Sequence, residues 1–372
     1  MRVLICPDKF KGSLTAREVI DSIRLGILQA DPTAQIISQP LADGGEGSLS
    51  IVRDLFALQE HRLEVTGPLR RPVMATYLMG DGVAYIESAS ACGLQLVPPH
   101  RRDPGFTTTI GVGQLIEDAL ARGAKEINLF LGGSATNDGG VGMAAALGYQ
   151  FFSDRGNDFV PSGDSLGYVT KVDASGVGEV LKKATVRAIC DVRNPLLGPN
   201  GATYVYAVQK GATVEELPVL ENNLSHLDAV LEGVSSQDTQ ELPGAGAAGG
   251  LGYGAAVFLG AELISGSDWL MDAVNLRGLM QEADLVITGE GKVDRQTLSG
   301  KVVAGVGRLG LELGVPVWAV AGVNELGQAE LPAGVARVLA LVDLPGVTVG
   351  RAVRGAGGLL VGLVAGELSS DN

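Results

Sequence analysis

The clearest indication of the fold comes from residues 1–38, which read MRVLICPDKFKGSLTAREVIDSIRLGILQADPTAQIIS. The apolar run at residues 3–6 predicts a strand, and the spacing of Thr15 and Glu18 predicts a capping box at a helix start. A second strand is predicted from Ile36. A right-handed β-α-β crossover places the loops after both strands, residues 7–14 and 41–48, at one edge of a parallel sheet.

The rest of the chain extends this pattern and interrupts it. Residues 284–288, 315–321 and 337–342 predict three further strands, which complete a doubly wound α/β sheet of five strands. The intervening segment has its own predicted strands, at residues 62–66, 73–79, 83–87, 127–131 and 186–190. We therefore expect a discontinuous domain, residues 1–58 and 268–372, an inserted α/β domain, residues 59–267, and a ligand site in the cleft between them.

Charge and composition exclude several classes of function. The net charge of −14 opposes binding to nucleic acid. The 3 cysteines form no CxxC pair, which favours a reducing, cytoplasmic location. The N-terminal apolar run is too short for a signal peptide, and residues 355–366 are too short to span a bilayer, so no membrane role is expected.

Two loops at the predicted sheet edge carry charged side chains. The sequence DKFKGS at residues 8–13 precedes a helix, where an anion such as carboxylate or phosphate is favoured. The sequence DGGEG at residues 43–47 could orient a hydroxyl or hold Mg²⁺, although ordinary strand-to-helix turns use the same residue types. The candidate ligand-binding residues of these loops are Lys9, Lys11, Ser13, Asp43, Gly44, Gly45 and Glu46.

The sequence GGSATNDGGVG at residues 132–142 directly follows a predicted strand and is the strongest single candidate for function. Its hydroxyls and backbone N–H groups could surround phosphate oxygens, and Asp138 offers a hard oxygen ligand to magnesium. The other candidate ligand-binding residues are Gly133, Ser134, Thr136, Asn137 and Gly139.

Three further segments combine acidic, basic and small residues. Asp191, Arg193 and Asn194 follow a predicted strand, and Arg193 could hold a carboxylate or phosphoryl group. Lys210 lies beside a glycine, and Gly246 belongs to a GxGxxG match that lacks the strand expected of a dinucleotide site. Residues 288–301 add the candidate ligand-binding residues Glu290, Asp294 and Lys301. Glu290 is also a candidate metal ligand. This segment does not contain a Walker A sequence.

Histidine is rare in this chain and absent from the glycine-rich loops. Only His61, His100 and His226 occur, so a carboxylate is the expected base in any proton transfer. The sequence contains neither a G-x-S-x-G elbow nor HExxH, which excludes the commonest hydrolase and zinc protease interpretations.

Six motifs taken in order resemble those of type I bacterial glycerate kinase. They are PDKFKGSL at residues 7–14, LADGGEG at 41–47, GGSATNDGG at 132–140, CDVRNP at 190–195, PGAGAAGG at 243–250 and ITGEG at 287–291. The resemblance spans almost the whole chain. It implies a flavodoxin-like domain with a second α/β domain inserted into it.

The resemblance also implies transfer of the γ-phosphoryl group of ATP to D-glycerate, typically at the 2-hydroxyl, with Mg²⁺ as cofactor. Lys9, Lys11 or Arg193 would hold the glycerate carboxylate, and Asp191 or Asp43 would accept the hydroxyl proton. We expect small-molecule partners and a monomer or homodimer. A kinase for another small hydroxy acid and a non-catalytic phosphometabolite-binding protein are the alternatives.

Overall fold

A computed structural model of the chain describes residues 1–42, 44, 48–232, 238–299, 301–326 and 330–370. The chain forms two compact units: unit 1 comprises Met1–Asp43 and Gly266–Asn372, and unit 2 comprises Gly44–Ser265. The helix at Ser48–Leu55 lies in unit 2, whereas the predicted boundary near residue 58 assigns it to the first domain. The predicted domain boundaries, and the site expected between the domains, stay predictions.

The strands in the described residues are β1 Arg2–Ile5, β2 Gln35–Ser38, β3 Gln59–Thr66, β4 Pro72–Gly80, β5 Val83–Glu87, β6 Glu126–Phe130, β7 Gln150–Phe152, β8 Asp158–Phe159, β9 Lys171–Asp173, β10 Thr185–Ile189, β11 Glu262–Ile264, β12 Leu285–Val293, β13 Val317–Asn324 and β14 Val335–Ala340. The helices there are α1 Ala16–Ala30, α2 Ser48–Leu55, α3 Ala89–Cys92, α4 Ile110–Ala121, α5 Val141–Ala146, α6 Glu179–Lys183, α7 Ala202–Tyr206, α8 Leu217–Leu231, α9 Ala247–Leu259, α10 Gly266–Ala273, α11 Leu276–Gln281, α12 Val302–Leu313 and α13 Val349–Ser370.

Unit 1 contains a parallel sheet whose described strands follow the order β14-β13-β12-β1-β2. Counted along the chain within this unit, that order is 2-1-3-4-5 read from the β2 edge, the flavodoxin-like arrangement. Residues 3–5 of β1 and residues 285–289 of β12 are buried and mainly apolar, as expected of a parallel sheet covered by helices on both faces. The predicted doubly wound sheet is therefore confirmed.

Unit 2 contains a mixed sheet, with the described strands in the order β11-β10-β6-β5-β4-β3. Strands β5, β6, β10 and β11 are parallel, while β3 and β4 pair antiparallel at one side. A small antiparallel sheet, β8-β7-β9, is separate. The inserted segment is thus an α/β unit with its own hydrophobic core.

Helix α13 passes the length and composition criteria for a membrane-crossing helix. It runs for 22 residues and extends beyond the apolar stretch at residues 355–366 on both sides. Its buried residues recur every fourth position, and they share one hydrophobic core with apolar residues of α1. They are Ala352, Ala356, Leu360, Val364 and Leu368. This pattern is that of a helix packed on the unit 1 core.

The predicted capping box at the start of α1 is confirmed. The Thr15 side chain accepts a hydrogen bond from Glu18 N at 3.3 Å, and Glu18 Oε2 accepts one from Thr15 N at 2.8 Å. The two side chains thereby satisfy N–H groups that have no partner inside the helix.

We expect Thr15→Ala to lower the free energy of unfolding by about 1 kcal/mol, because the Glu18 N–H loses its acceptor. Urea titration of the unmodified protein and the variant measures this change. A midpoint identical to that of the unmodified protein would contradict a stabilising role for the cap.

Candidate active site

The carboxyl ends of the parallel strands in unit 2 place several polar residues at one edge of the sheet. Glu87 pairs in register with Phe130, and Phe130 pairs with Ile189, so β5, β6 and β10 end side by side. Glu87 ends β5 and Ser88 follows it, the glycines follow β6, and Asp191 follows β10. Ser265 follows β11, which pairs with β10. Ligands of open α/β sheets bind at this edge, which makes it the candidate site of unit 2.

The glycine-rich loop (residues 132–140) lies mainly inside unit 2. Ser134 and Thr136 are buried, as are Asn137 and Asp138. Gly133 is exposed and Gly132 is half-buried. The sequence predicts phosphate binding by the hydroxyl and amide side chains, but the structure presents chiefly this glycine pair (Gly132 and Gly133) to solvent. The part of the loop best placed for a phosphate is therefore its backbone.

The ammonium group of Lys210 supports this loop from within. Lys210 Nζ donates to Ser134 Oγ at 3.0 Å and to Thr136 O at 2.8 Å. The residue is only 4% exposed, and burial lowers the pKa of its ammonium to about 8, against the opposing influence of Cys92 and Asp138. The predicted direct binding of substrate by Lys210 stays a prediction, since its described contacts are internal.

Asp138 is enclosed and takes its hydrogen bonds from the protein. Its Oδ2 accepts from Thr109 N and Thr109 Oγ1, both at 2.9 Å, and its Oδ1 accepts from Gly140 N at 3.1 Å. Burial raises the pKa of the carboxyl group, and these hydrogen bonds partly offset the rise. A cation at Asp138 would have to displace these donors. Metal binding by Asp138 therefore stays a prediction that its described contacts do not favour.

Asn137 and Thr136 join the loop to two distant segments. Asn137 Nδ2 donates to Thr203 Oγ1 at 3.3 Å, while Asn137 Oδ1 has no hydrogen-bond partner among the described residues. Thr136 Oγ1 donates to Ala248 O at 3.4 Å. Both side chains therefore act within the described structure as internal contacts of the loop.

The second glycine-rich segment, residues 244–254, packs directly on the first. Gly139 N donates to Gly249 O at 3.1 Å. A Cβ atom on Gly249 would lie 1.9 Å from Thr136 O, and one on Gly246 would lie 2.3 Å from Pro195 O. Gly246 is buried and donates its N–H to Asn194 O at 2.9 Å. This close packing explains the glycines of the GxGxxG match without a nucleotide.

The Asp191 segment offers more accessible groups. Asp191 is half-buried, and Ser265 Oγ donates to its Oδ1 at 3.0 Å. Arg193 is exposed. Asn194 Oδ1 accepts from Tyr206 Oη at 2.7 Å, and its Nδ2 donates to Asn200 O at 2.7 Å, so Asn194 shapes this turn. Ligand binding by Asp191 and Arg193 stays a prediction, which the exposure of Arg193 and the partial exposure of Asp191 allow.

Unit 1 has a candidate site of its own at the switch point between β1 and β12. Lys9 follows β1, and Lys11 N would lie 3.1 Å from a Cβ atom on Gly291 of β12. Strand β12 extends beyond the predicted end at Thr288, so Glu290 lies within the strand, paired with Ala321. The loop with both lysines and the Glu290 segment are thus adjacent in unit 1.

Glu290 is 7% exposed and is linked to the segment that follows it. Thr297 Oγ1 donates to Glu290 Oε1 at 2.6 Å, and Lys301 Nζ lies 3.8 Å from Glu290 Oε2. Asp294 N donates to Thr297 Oγ1 at 3.0 Å. The structure therefore brings the predicted residues Glu290, Asp294 and Lys301 together in one polar network.

The remaining predicted residues have different outcomes. Ser13 Oγ donates to Val353 O of α13 at 2.6 Å, which is an internal contact of unit 1. Gly44 is buried with a φ of 77°. Asp43, Gly45 and Glu46 lie outside the described residues.

Sequence reasoning missed Glu87 and Ser88 at the end of β5. Glu87 Oε1 accepts from Leu49 N near the start of α2 at 2.9 Å. Ser88 is buried, and its Oγ has no hydrogen-bond partner among the described residues. The strand at residues 83–87 was itself predicted, so polar residues at its carboxyl end were a usable signal.

Comparison with known proteins identifies the family. The sequence model of the glycerate kinase family matches residues 3–364. A glycerate 2-kinase of Escherichia coli strain K12 is 44% identical over 324 residues, 87% of this chain and 85% of the relative. A glycerate kinase of Bacillus subtilis strain 168 is also 44% identical, with the same coverage of both chains.

A solved structure extends the likeness to three dimensions. A crystal structure from Salmonella typhimurium LT2, assigned as a glycerate kinase 2, superposes with a TM-score of 0.82 at 37% identity and covers 100% of this chain and 98% of its own. The sequence motifs, the sheet topology and these matches agree. The chain belongs to the glycerate kinase family.

Proposed function

We propose that this chain transfers the γ-phosphoryl group of ATP to the 2-hydroxyl of D-glycerate, giving 2-phospho-D-glycerate and ADP. The observation that carries the proposal is the position of Asp191. This half-buried carboxylate follows β10, beside the strand that leads into the glycine pair. A proton acceptor and a phosphate-binding backbone at neighbouring strand ends suit phosphoryl transfer to an alcohol.

Asp191 accepts the hydroxyl proton in this proposal, and the Ser265 hydroxyl holds its Oδ1 at 3.0 Å. The N–H groups of the glycine pair bind phosphate oxygens, and the exposed Arg193 guanidinium pairs with the glycerate carboxylate. In unit 1, Lys9, Lys11 and the network of Glu290, Asp294 and Lys301 stay predicted ligand-binding residues. Phosphoryl transfer depends mainly on positioning and charge neutralisation, which these groups supply.

In this proposal Mg²⁺ enters the site bound to the phosphates of ATP. Within the described part of the chain, no group of three or more His, Cys, Asp or Glu side chains could hold a metal ion. Kinase sites often bind Mg²⁺ through one or two carboxylates together with substrate phosphates. Glu290 can supply such a carboxylate, and the bound ion would neutralise charge on the phosphate oxygens.

The net charge of −14 supports small-molecule partners rather than nucleic acid. Cys6, Cys92 and Cys190 are buried free thiols, which supports the predicted reducing, cytoplasmic location. We also propose that the protein is a monomer or a homodimer.

ADP release tests the proposal directly. We expect release to require both D-glycerate and Mg²⁺, and we expect enolase to consume the product without phosphoglycerate mutase. Dependence on the mutase would mean the 3-phosphate and would overturn the proposed regiochemistry. Release with another hydroxy acid but not with glycerate would change the substrate, and no release by folded protein would overturn the kinase assignment.

A further inference from the structure

The side chain of Lys210 is unusual because lysine is rarely buried, and this residue is only 4% exposed. Two N–H donors of its ammonium reach Ser134 Oγ and Thr136 O, at 3.0 and 2.8 Å. Both acceptors belong to the glycine-rich loop, and Ser134 directly follows the glycine pair. The ammonium therefore contacts the candidate site through the loop.

We propose that Lys210 is a positioning residue that holds the glycine pair in the shape that binds phosphate, acting through Ser134 and Thr136. This inference rests on the proposed kinase function. It assigns to Lys210 an indirect role in place of the substrate contact suggested by the sequence.

Several hydrogen bonds hold the loop between Gly133 and Thr136, and Lys210 supplies the charged donor among them. Gly133 O accepts from Leu94 N, and Ala135 N donates to Cys92 O, both at 2.8 Å. The Lys210 ammonium adds hydrogen bonds to Ser134 and Thr136 of the same stretch. Loss of its ammonium leaves a hydroxyl and a carbonyl without this donor, so the loop can relax.

The backbone next to Lys210 packs closely on another segment of unit 2. Gly211, which follows it, has a φ of 111°, and a Cβ atom there would lie 2.3 Å from Arg102 O. The backbone of Gly211 therefore packs against Arg102 with no room for a side chain.

Three titratable or charged groups surround this position. Cys92 faces the ammonium from α3, and burial raises the pKa of its thiol to about 12, so it is uncharged at neutral pH. Asp138 approaches from the loop, and Arg102 lies against the neighbouring Gly211. Burial lowers the pKa of Lys210 to about 8, so the amine is charged at pH 7 and loses its charge as pH rises through 8.

The test compares Lys210→Met with Lys183→Met, which replaces an exposed lysine of α6. We expect Lys210→Met to lower kcat at pH 7 by about tenfold with KM for D-glycerate unchanged within about threefold, and Lys183→Met to behave like the unmodified protein. The kcat of the unmodified protein should fall as pH rises through about 8, and this fall should be absent in Lys210→Met. An unchanged kcat together with an unchanged KM for ATP in Lys210→Met would overturn the inference, and so would a loss confined to KM for D-glycerate.

Two further measurements keep the inference separable from the kinase proposal. Amide hydrogen exchange should be faster at residues 133–136 in Lys210→Met, and unchanged protection would overturn the positioning role even if the unmodified protein released no ADP. Should Lys210→Met fail to fold, Ser134→Ala removes one acceptor and should speed exchange at the same amides. Parental protection in Ser134→Ala would then overturn the inference.

Discussion

Replacing Asp191 with Asn is expected to lower kcat for phosphorylation of D-glycerate by about a hundredfold or more. The amide has nearly the shape of the carboxylate, but it cannot accept the proton of the substrate hydroxyl. Ser265 Oγ, which donates to Asp191 Oδ1 at 3.0 Å, can still donate to the amide oxygen. The local geometry should therefore survive while the chemistry is lost. Initial rates of ADP release at saturating ATP and glycerate measure the effect.

Asp158→Asn is the matched control, because Asp158 is an exposed carboxylate of β8, in the separate antiparallel sheet. It should leave both kcat and the thermal midpoint unchanged. Asp191→Asn should also keep the parental thermal midpoint, which separates loss of chemistry from loss of folding. A near-normal kcat in Asp191→Asn would move the role of base to another carboxylate, with Asp43 the next candidate.

The fold could be predicted from sequence wherever a strand is long and apolar. Strand β1 and the βαβ unit that it begins could be predicted from an apolar run, a capping box and the amphipathic pattern of a helix. The strands of the small sheet, β7 to β9, have three residues or fewer and were missed, as was β11. Such segments are too short to establish an alternating pattern, and only tertiary pairing defines them.

The position of the candidate site could also be predicted, but the direction of its side chains could not. The sequence correctly places residues 132–140 at a strand end. It suggests that Thr136, Asn137 and Asp138 face a ligand, whereas all three are buried. The glycines that flank residues 136–138 allow many backbone conformations, so the sequence does not determine where these side chains point. Their hydrogen-bond partners Thr109, Thr203 and Ala248 are distant in sequence. Local pattern carries no information about such contacts.

Replacing Gly249 with Ala is expected to lower the free energy of unfolding by about 3–5 kcal/mol and to abolish most kinase activity. The added Cβ would lie 1.9 Å from Thr136 O and 2.9 Å from Asn137 Cα, both backbone atoms. The φ of 72° at Gly249 adds strain for any residue with a side chain. Thr136 O accepts a hydrogen bond from the Lys210 ammonium. Any shift of Thr136 that relieves the clash therefore also disturbs the contact that supports the glycine pair. Calorimetry and ADP release measure the two effects.

Gly260→Ala separates the clash from the backbone strain. Gly260 has a similar φ of 62°, but a Cβ atom there would meet no heavy atom within 4 Å. This control should therefore cost only about 1–2 kcal/mol, the penalty of a left-handed conformation, and should keep the parental kcat. Equal losses in the two variants would show that φ alone sets the cost. A larger loss of stability and activity in Gly249→Ala would instead mean that the close packing of the two glycine-rich segments determines the shape of the loop.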